Sequence, residues 1–183
     1  YYKAALLLCS VMMAALMAEL VLRVMTEPSD VPRDLFYKYD SVLGWAKRAN
    51  IEEKISAAEY SVMQRTNSKG ILGPEYSYEK NTNEYRVVTL GDSFAEGYSV
   101  EFGQLFSEVL KQTLNAETGN EVYQVINAGV GGYSTDQELL YFEREIKKYH
   151  PDMTVVMFYH NDVWVNSQPR NFGGGLKPLF KID

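Results

Sequence analysis

Three short segments carry the side chains that could do chemistry. The first reads Gly91-Asp92-Ser93-Phe94, the second Asn127-Ala128-Gly129-Val130-Gly131-Gly132-Tyr133-Ser134, and the third Tyr159-His160-Asn161-Asp162. A serine on a tight turn that opens into a helix can present its hydroxyl as a nucleophile. A glycine at position 132 lets the backbone approach a substrate with no Cβ in the way. The backbone N–H groups of Ser93 and Gly132 and the side-chain amide of Asn161 can face a developing oxyanion, each contributing about 3–4 kcal/mol when preorganised. The chemistry that suits this set is acyl transfer. Each segment alone is a weak signal. Gly-Asp-Ser is most often a turn, a glycine-rich loop is more often a bend or a phosphate cradle, and Asn-Asp after a strand is usually a cap.

Their weight comes from the elements that position them. Residues 85–90 form a β-branched apolar run that ends at Gly91, the pattern of a buried strand. Residues 102–116 carry Leu105, Phe106, Val109, Leu110 and Leu114 at helical spacing. Residues 122–128 read as a second strand. Residues 134–149 read as a helix with Leu139, Leu140, Phe142 and Ile146 as its apolar stripe. Lys147 and Lys148 sit where the helix dipole favours cations, and Pro151 stops the run. Residues 153–159 read as a third strand. Strand and helix alternating with short links predict right-handed crossovers and a parallel sheet covered on both faces. Sites in such sheets form at the carboxyl ends of the strands, where all three segments lie and can converge.

The amino-terminal part has another character. Residues 4–18 contain no charge, and apolar residues continue to Met25, interrupted by Glu19 and Arg23. As a helix, residues 4–25 span about 33 Å, close to a bilayer core of about 30 Å. The stretch is apolar all round, whereas a buried soluble helix would be amphipathic. Leu16 and Ala18 make a poor signal-peptide cut before Glu19. We therefore read residues 1–25 as a single transmembrane anchor. Insertion is weak: nine Leu and Val give about −4 kcal/mol, against about +2.5 to +3.5 for a central charge. Glu19 and Arg23 are spaced i,i+4, which favours pairing. Lys3 before the span, and the mixed Glu27, Asp30, Arg33 and Asp34 after it, lean toward an extracytoplasmic domain, periplasmic in a bacterium. Cys9 reads as an inert membrane thiol.

Residues 26–84 read as a linker marked by Pro28 and Pro32, then a lead-in with turns at 40–45 and 66–70. Its aromatic residues, Tyr37, Tyr39, Trp45, Tyr60, Tyr76 and Tyr78, are expected to pack against the domain at 85–183. Composition narrows the function classes. A net charge of −6 argues against nucleic acid and against a polybasic membrane-surface binder. One cysteine excludes an internal disulfide and a cysteine zinc site, and two histidines exclude a histidine-rich metal cluster.

With all three segments in this order, each closing a strand, the chain resembles the SGNH hydrolases, the GDSL-type esterases and lipases. Gly91-Asp92-Ser93-Phe94 matches the first block, with Phe where the name-giving pattern has Leu. Residues 127–132 resemble the second block, its oxyanion glycine falling on Gly132. Asn161-Asp162 resembles the third, its oxyanion asparagine falling on Asn161. Gly91, Asp92 and Asp162 are supporting residues in this reading. The resemblance covers about residues 67–180, and Thr66-Asn67-Ser68-Lys69-Gly70 resembles the lead-in of membrane-anchored bacterial members. It implies a flavodoxin-like three-layer α/β/α fold and hydrolysis of ester bonds in lipids, thioesters or acetylated sugars. It implies no metal or organic cofactor.

One block of the family pattern is missing. The Asp-x-x-His that supplies the general base does not occur in residues 1–183. His150 falls on the amino side of the third strand and reads as a surface or capping residue. His160 directly precedes Asn161; successive strand residues point oppositely, so it can brush the site but does not read as the base. We expect a fragment, starting at Tyr1, with the missing motif beyond Asp183. Two functions follow: a membrane-anchored serine esterase acting on a small-molecule ester, or a non-catalytic accessory subunit docked with other transmembrane subunits in a larger complex. A flavodoxin-like nucleotide binder fits less well, because residues 129–132 lack the Lys and the G-x-G-x-x-G spacing.

Overall fold

Residues 2–25 are apolar on every face, and they form one helix, α1 (Tyr2–Met25), with no buried residue. It is long and apolar enough to cross a membrane. The expected Glu19–Arg23 pair is present, with Arg23 Nε donating to Glu19 Oε1 at 2.8 Å. The computed structural model describes residues 1–25, 36–57, 59–171 and 175–180. The linker features Glu27, Pro28, Asp30, Pro32, Arg33 and Asp34 lie outside the described residues.

Two hairpins precede the sheet. β1 (Tyr37–Asp40) pairs antiparallel with β2 (Gly44–Lys47), and β3 (Glu52–Ser56) pairs antiparallel with β4 (Ser61–Arg65). Asp40 makes the first turn, its Oδ1 accepting from the N–H groups of Val42 and Leu43, both at 2.9 Å. This is an Asx turn, and it places Leu43 in the core. The expected turn at 66–70 is built on Asn67, whose Oδ1 accepts from Lys69 N at 2.9 Å and Ile71 N at 3.0 Å.

The main sheet has three parallel strands, β5 (Tyr85–Gly91), β6 (Tyr123–Asn127) and β7 (Met153–Met157), in the order β6-β5-β7. Between β5 and β6 run α2 (Ser93–Glu96) and α3 (Phe106–Thr118); α4 (Thr135–Arg144) joins β6 to β7, and α5 (His160–Val165) follows. Because β6 and β7 flank β5 on opposite sides, right-handed crossovers put α3 and α4 on opposite faces. That is the expected α/β/α layering with a parallel sheet. Val88, Leu90, Ile126, Ala128 and Val130 form its core together with Leu43 and Ile71 from the lead-in. Buried Arg86 ties the amino end of the sheet, with Nη1 donating to Tyr149 O at 2.6 Å and Ser77 O at 3.0 Å.

The elements differ from their sequence pattern in four places. The helix expected at 102–116 starts as a 3₁₀ turn, Phe102–Gln104, and breaks at Leu105 (φ −57°, ψ 141°) before α3 begins. The helix expected at 134–149 ends at Arg144. Glu145 leaves the helical region (φ −127°), a 3₁₀ turn follows at Ile146–Tyr149, and His150 closes it at φ 49°. The apolar stripe of α4 is only part of its buried face: Leu139 is 53% exposed and Leu140 and Phe142 are half-buried against the core, while Asp136, Gln137, Glu138 and Tyr141 are buried. Internal hydrogen bonds account for Asp136 and for the Gln137 amide nitrogen, since a polar group with a partner can be buried at little cost. Gln137 Nε2, for instance, donates to Leu43 O at 2.7 Å. Finally, β7 ends two residues early. Its first four residues are exposed, on both faces of the strand, and among the described residues it is an edge strand.

Candidate active site

Ser93 opens α2 immediately beyond the carboxyl end of β5, and Asp92 is the N-cap. The two carboxylate oxygens of Asp92 serve different elements. Oδ1 accepts from Phe94 N at 2.9 Å, which fixes the turn around Ser93. Oδ2 accepts from Asn161 Nδ2 at 3.1 Å. Asn161 lies in the first turn of α5, beyond β7. One buried carboxylate therefore joins the first and third segments. The Ser93 side chain is half-buried and its hydroxyl has no hydrogen-bond partner among the described residues.

The second segment is held from both sides. Asn127 Nδ2 donates to Ala95 O at 2.7 Å, and its Oδ1 accepts from Gly129 N at 2.9 Å. Val130 N donates to Gly91 O at 2.9 Å. A Cβ on Gly129 would lie 2.5 Å from the backbone nitrogen of Glu96, so only glycine permits this approach. From the other side the β1–β2 hairpin takes the carbonyls of the loop. Lys47 Nζ donates to Gly129 O at 2.5 Å and Trp45 Nε1 to Gly131 O at 3.0 Å. In a trans peptide the N–H points opposite to the C=O. With Gly131 O directed at Trp45, the N–H of Gly132 faces away from the hairpin, and it makes no hydrogen bond among the described residues. Gly132 has φ +79°, and a Cβ there would meet Asn171 Nδ2 at 2.6 Å.

A buried ion pair supports the loop. Lys47 Nζ lies 3.1 Å from Glu96 Oε1, and Tyr37 Oη donates to the Glu96 carboxylate at 2.8 Å. Burial lowers the Lys47 ammonium from its ordinary value, and Glu96 opposes that shift. Sequence reasoning missed Lys47, Glu96 and Tyr37. Their only signal was a lysine closing the short aromatic strand Gly44-Trp45-Ala46-Lys47.

Asp162 is buried beside Asn161, its Oδ2 accepting from Tyr159 N at 2.8 Å. Burial raises the Asp162 carboxyl above its ordinary value, the Tyr159 N–H opposes this, and Asp92 and Asp136 add to it. Neither histidine joins Ser93. His150 sits at the amino end of β7. His160 is exposed and stacks on Tyr159 at 4.3 Å between ring centroids. Among the described residues no three acidic, imidazole or thiol groups are spaced to share a metal ion.

Residues 89–181, just over half of the chain, match the family model of the GDSL-like lipase/acylhydrolase family. The chain belongs to that family. Similar solved structures include AlinE4, an SGNH-hydrolase family esterase, which is 24% identical over 49% of this chain and 48% of that one, with a TM-score of 0.37. Two mutants of the same esterase are 24% and 23% identical, with the same coverage and TM-score. This GDSL-like chain thus spans about half the length of the solved structures it matches. No curated protein matches it.

Proposed function

We propose that this GDSL-like chain is the nucleophile-bearing part of a membrane-anchored serine ester hydrolase. Ser93 Oγ attacks the carbonyl carbon of a carboxylic ester, of lipid or acetylated-sugar type. Negative charge forms on the carbonyl oxygen, which takes hydrogen bonds from the Gly132 N–H and the second Nδ2 proton of Asn161. Collapse expels the alcohol and leaves an acyl-serine, which water hydrolyses to the free acid and Ser93. Asp92 orients both the Ser93 turn and Asn161. The observation that carries this reading is the Asp92 bridge, which ties Phe94 N and Asn161 Nδ2 to one carboxylate. Activation of Ser93 calls for a base. Family resemblance assigns it to an Asp-x-x-His pair that residues 1–183 do not contain. α1 anchors the domain, on the extracytoplasmic side by the charge pattern around the span. A fluorophosphonate probe on the full-length protein tests the reading: labelling at Ser93 is expected, and folded protein that stays unlabelled overturns it.

A second reading, an accessory subunit of a membrane complex, is favoured by α1 itself. Its Glu19–Arg23 pair is exposed on both partners and none of its apolar surface is buried, which suits packing against other transmembrane helices. Co-purification at fixed stoichiometry with other membrane proteins is its test, and a solubilised lone monomer counts against it.

A further inference from the structure

The interior around Asp92 and Asp162 is acidic. Asp92 caps α2, Asp162 lies in the first turn of α5, and Asp136 and Glu138 lie on α4; all four are buried. Two of them are fully served. Both oxygens of Asp92 accept hydrogen bonds. Asp136 pairs with Lys177 and accepts from Ser134 Oγ at 2.6 Å. The other two are not. Among the described residues Asp162 has no partner for Oδ1, and Glu138 has none for either oxygen, although Glu138 is only 2% exposed. A buried carboxylate with no donor is held charged only at high cost, so it is neutralised by a cation or by a proton. The cation is disfavoured here: Lys177 is engaged by Asp136, and no three such groups are spaced to share a metal ion among the described residues. A proton on one orphan makes that group the donor the other lacks.

We propose that Glu138 carries a proton at neutral pH and donates it in a hydrogen bond to Oδ1 of Asp162, making Glu138 a positioning residue for Asn161. The route runs through α5. Asp162 holds the first turn of that helix through Tyr159 N, and Asn161 occupies the same turn, its side chain held by Asp92. Ionised, Glu138 would add a third unscreened charge beside Asp92 and Asp162 and push that turn apart. The positioning role rests on the oxyanion role proposed above for Asn161; the proton does not.

Burial, then the charges of Asp162, Asp92 and Asp136, pushes Glu138 up to about 8. The groups acting on the pair are Asp92 from α2, Asp136 from α4 with its partner Lys177, and His160 from α5. The sign follows from linkage. Below the ordinary carboxyl range both folded and unfolded chains hold the proton. As pH rises toward about 8 the unfolded chain releases it first, so folding stability falls through that window and levels off above it.

The test compares full-length wild type with Glu138→Gln, which is neutral at every pH and keeps a donor. Melting temperature and the rate of fluorophosphonate labelling are followed from pH 5 to 9, together with the infrared carboxylic-acid band of the wild type. The wild-type melting temperature is expected to fall across this range more steeply than that of Glu138→Gln. The labelling ratio of variant to wild type is expected near one at pH 6 and several-fold higher by pH 9. The acid band is expected at pH 7 and lost above pH 9. Equal melting slopes, or no acid band at pH 7, overturn the proton; if Glu138→Gln does not fold, the band decides alone. A labelling ratio that is constant with pH overturns the positioning role. Absence of labelling in both proteins at every pH overturns Ser93 as nucleophile and takes the positioning role with it, while the melting slopes and the band still decide the proton.

Discussion

At Gly132 and Asn161 the backbone and an amide side chain offer donors that the fold itself does not consume. The N–H of Gly132 has no partner among the described residues, and Asn161 Nδ2 uses one of its two protons on Asp92. If both donors serve an oxyanion, Asn161→Ala lowers ester hydrolysis by the full-length protein about 10²- to 10³-fold. KM should change little, because the charge exists only in the transition state. Gly132→Ala should do more. It forces a side chain into φ +79° against Asn171 Nδ2, so it lowers both the rate and the melting temperature. The placement of these residues beyond strand ends was legible in the sequence, because the apolar runs before them mark buried strands. Glu138 was not. A buried carboxyl is recognised by its neighbours in space, and Asp162 lies 24 positions away (162 − 138 = 24), beyond any local pattern.

The β1–β2 hairpin shows the same limit for elements. Its strands are four residues long, too short for alternation to register, yet it holds the glycine loop. Lys47 carries the load through Gly129 O and Glu96. Replacing Lys47 by Met leaves Glu96 buried with Tyr37 as its one side-chain donor among the described residues, a loss of about 3–5 kcal/mol in unfolding free energy. Lys47→Met combined with Glu96→Leu should recover much of that stability, because a buried ion pair and a well-packed apolar pair are often nearly equivalent. Denaturant titration of the two variants measures the coupling. The hairpin is also clamped to α4, where Arg144 Nη1 donates to Asp40 Oδ1 at 2.7 Å. Burial raises the Asp40 carboxyl, but Arg144 and the N–H groups of Leu43 and Val42 outweigh it and hold the group at about 2. The stability this pairing gives is full above the ordinary carboxyl range and is lost as pH falls toward 2. Arg144→Ala should therefore flatten the melting temperature between pH 4 and 2. The strands of the main sheet were legible because burial on both faces leaves continuous apolar runs. The helix stripes misled because α4 buries polar groups as well, Asp136 and the Gln137 amide nitrogen finding partners inside.

At the scale of the molecule the chain divides into an apolar helix and a globular part. None of α1 is buried by the globular part, so its apolar surface must be covered by something else, and its length matches a bilayer core. The globular part buries its own core from the sheet and the lead-in and owes nothing to α1. Deleting residues 1–25 from the full-length protein should therefore leave its melting temperature within about 1 °C, since no buried contact is removed. The same deletion should move the protein from the membrane fraction to the soluble one. The intact protein should stay with the membrane after alkaline carbonate washing, and its release by that wash would sink the spanning helix. Labelling of Ser93 separates the two functional readings in one experiment. An esterase keeps its labelling rate without α1, because every described residue of the candidate site lies after position 36. An accessory subunit that docks through α1 instead leaves its complex when those residues go.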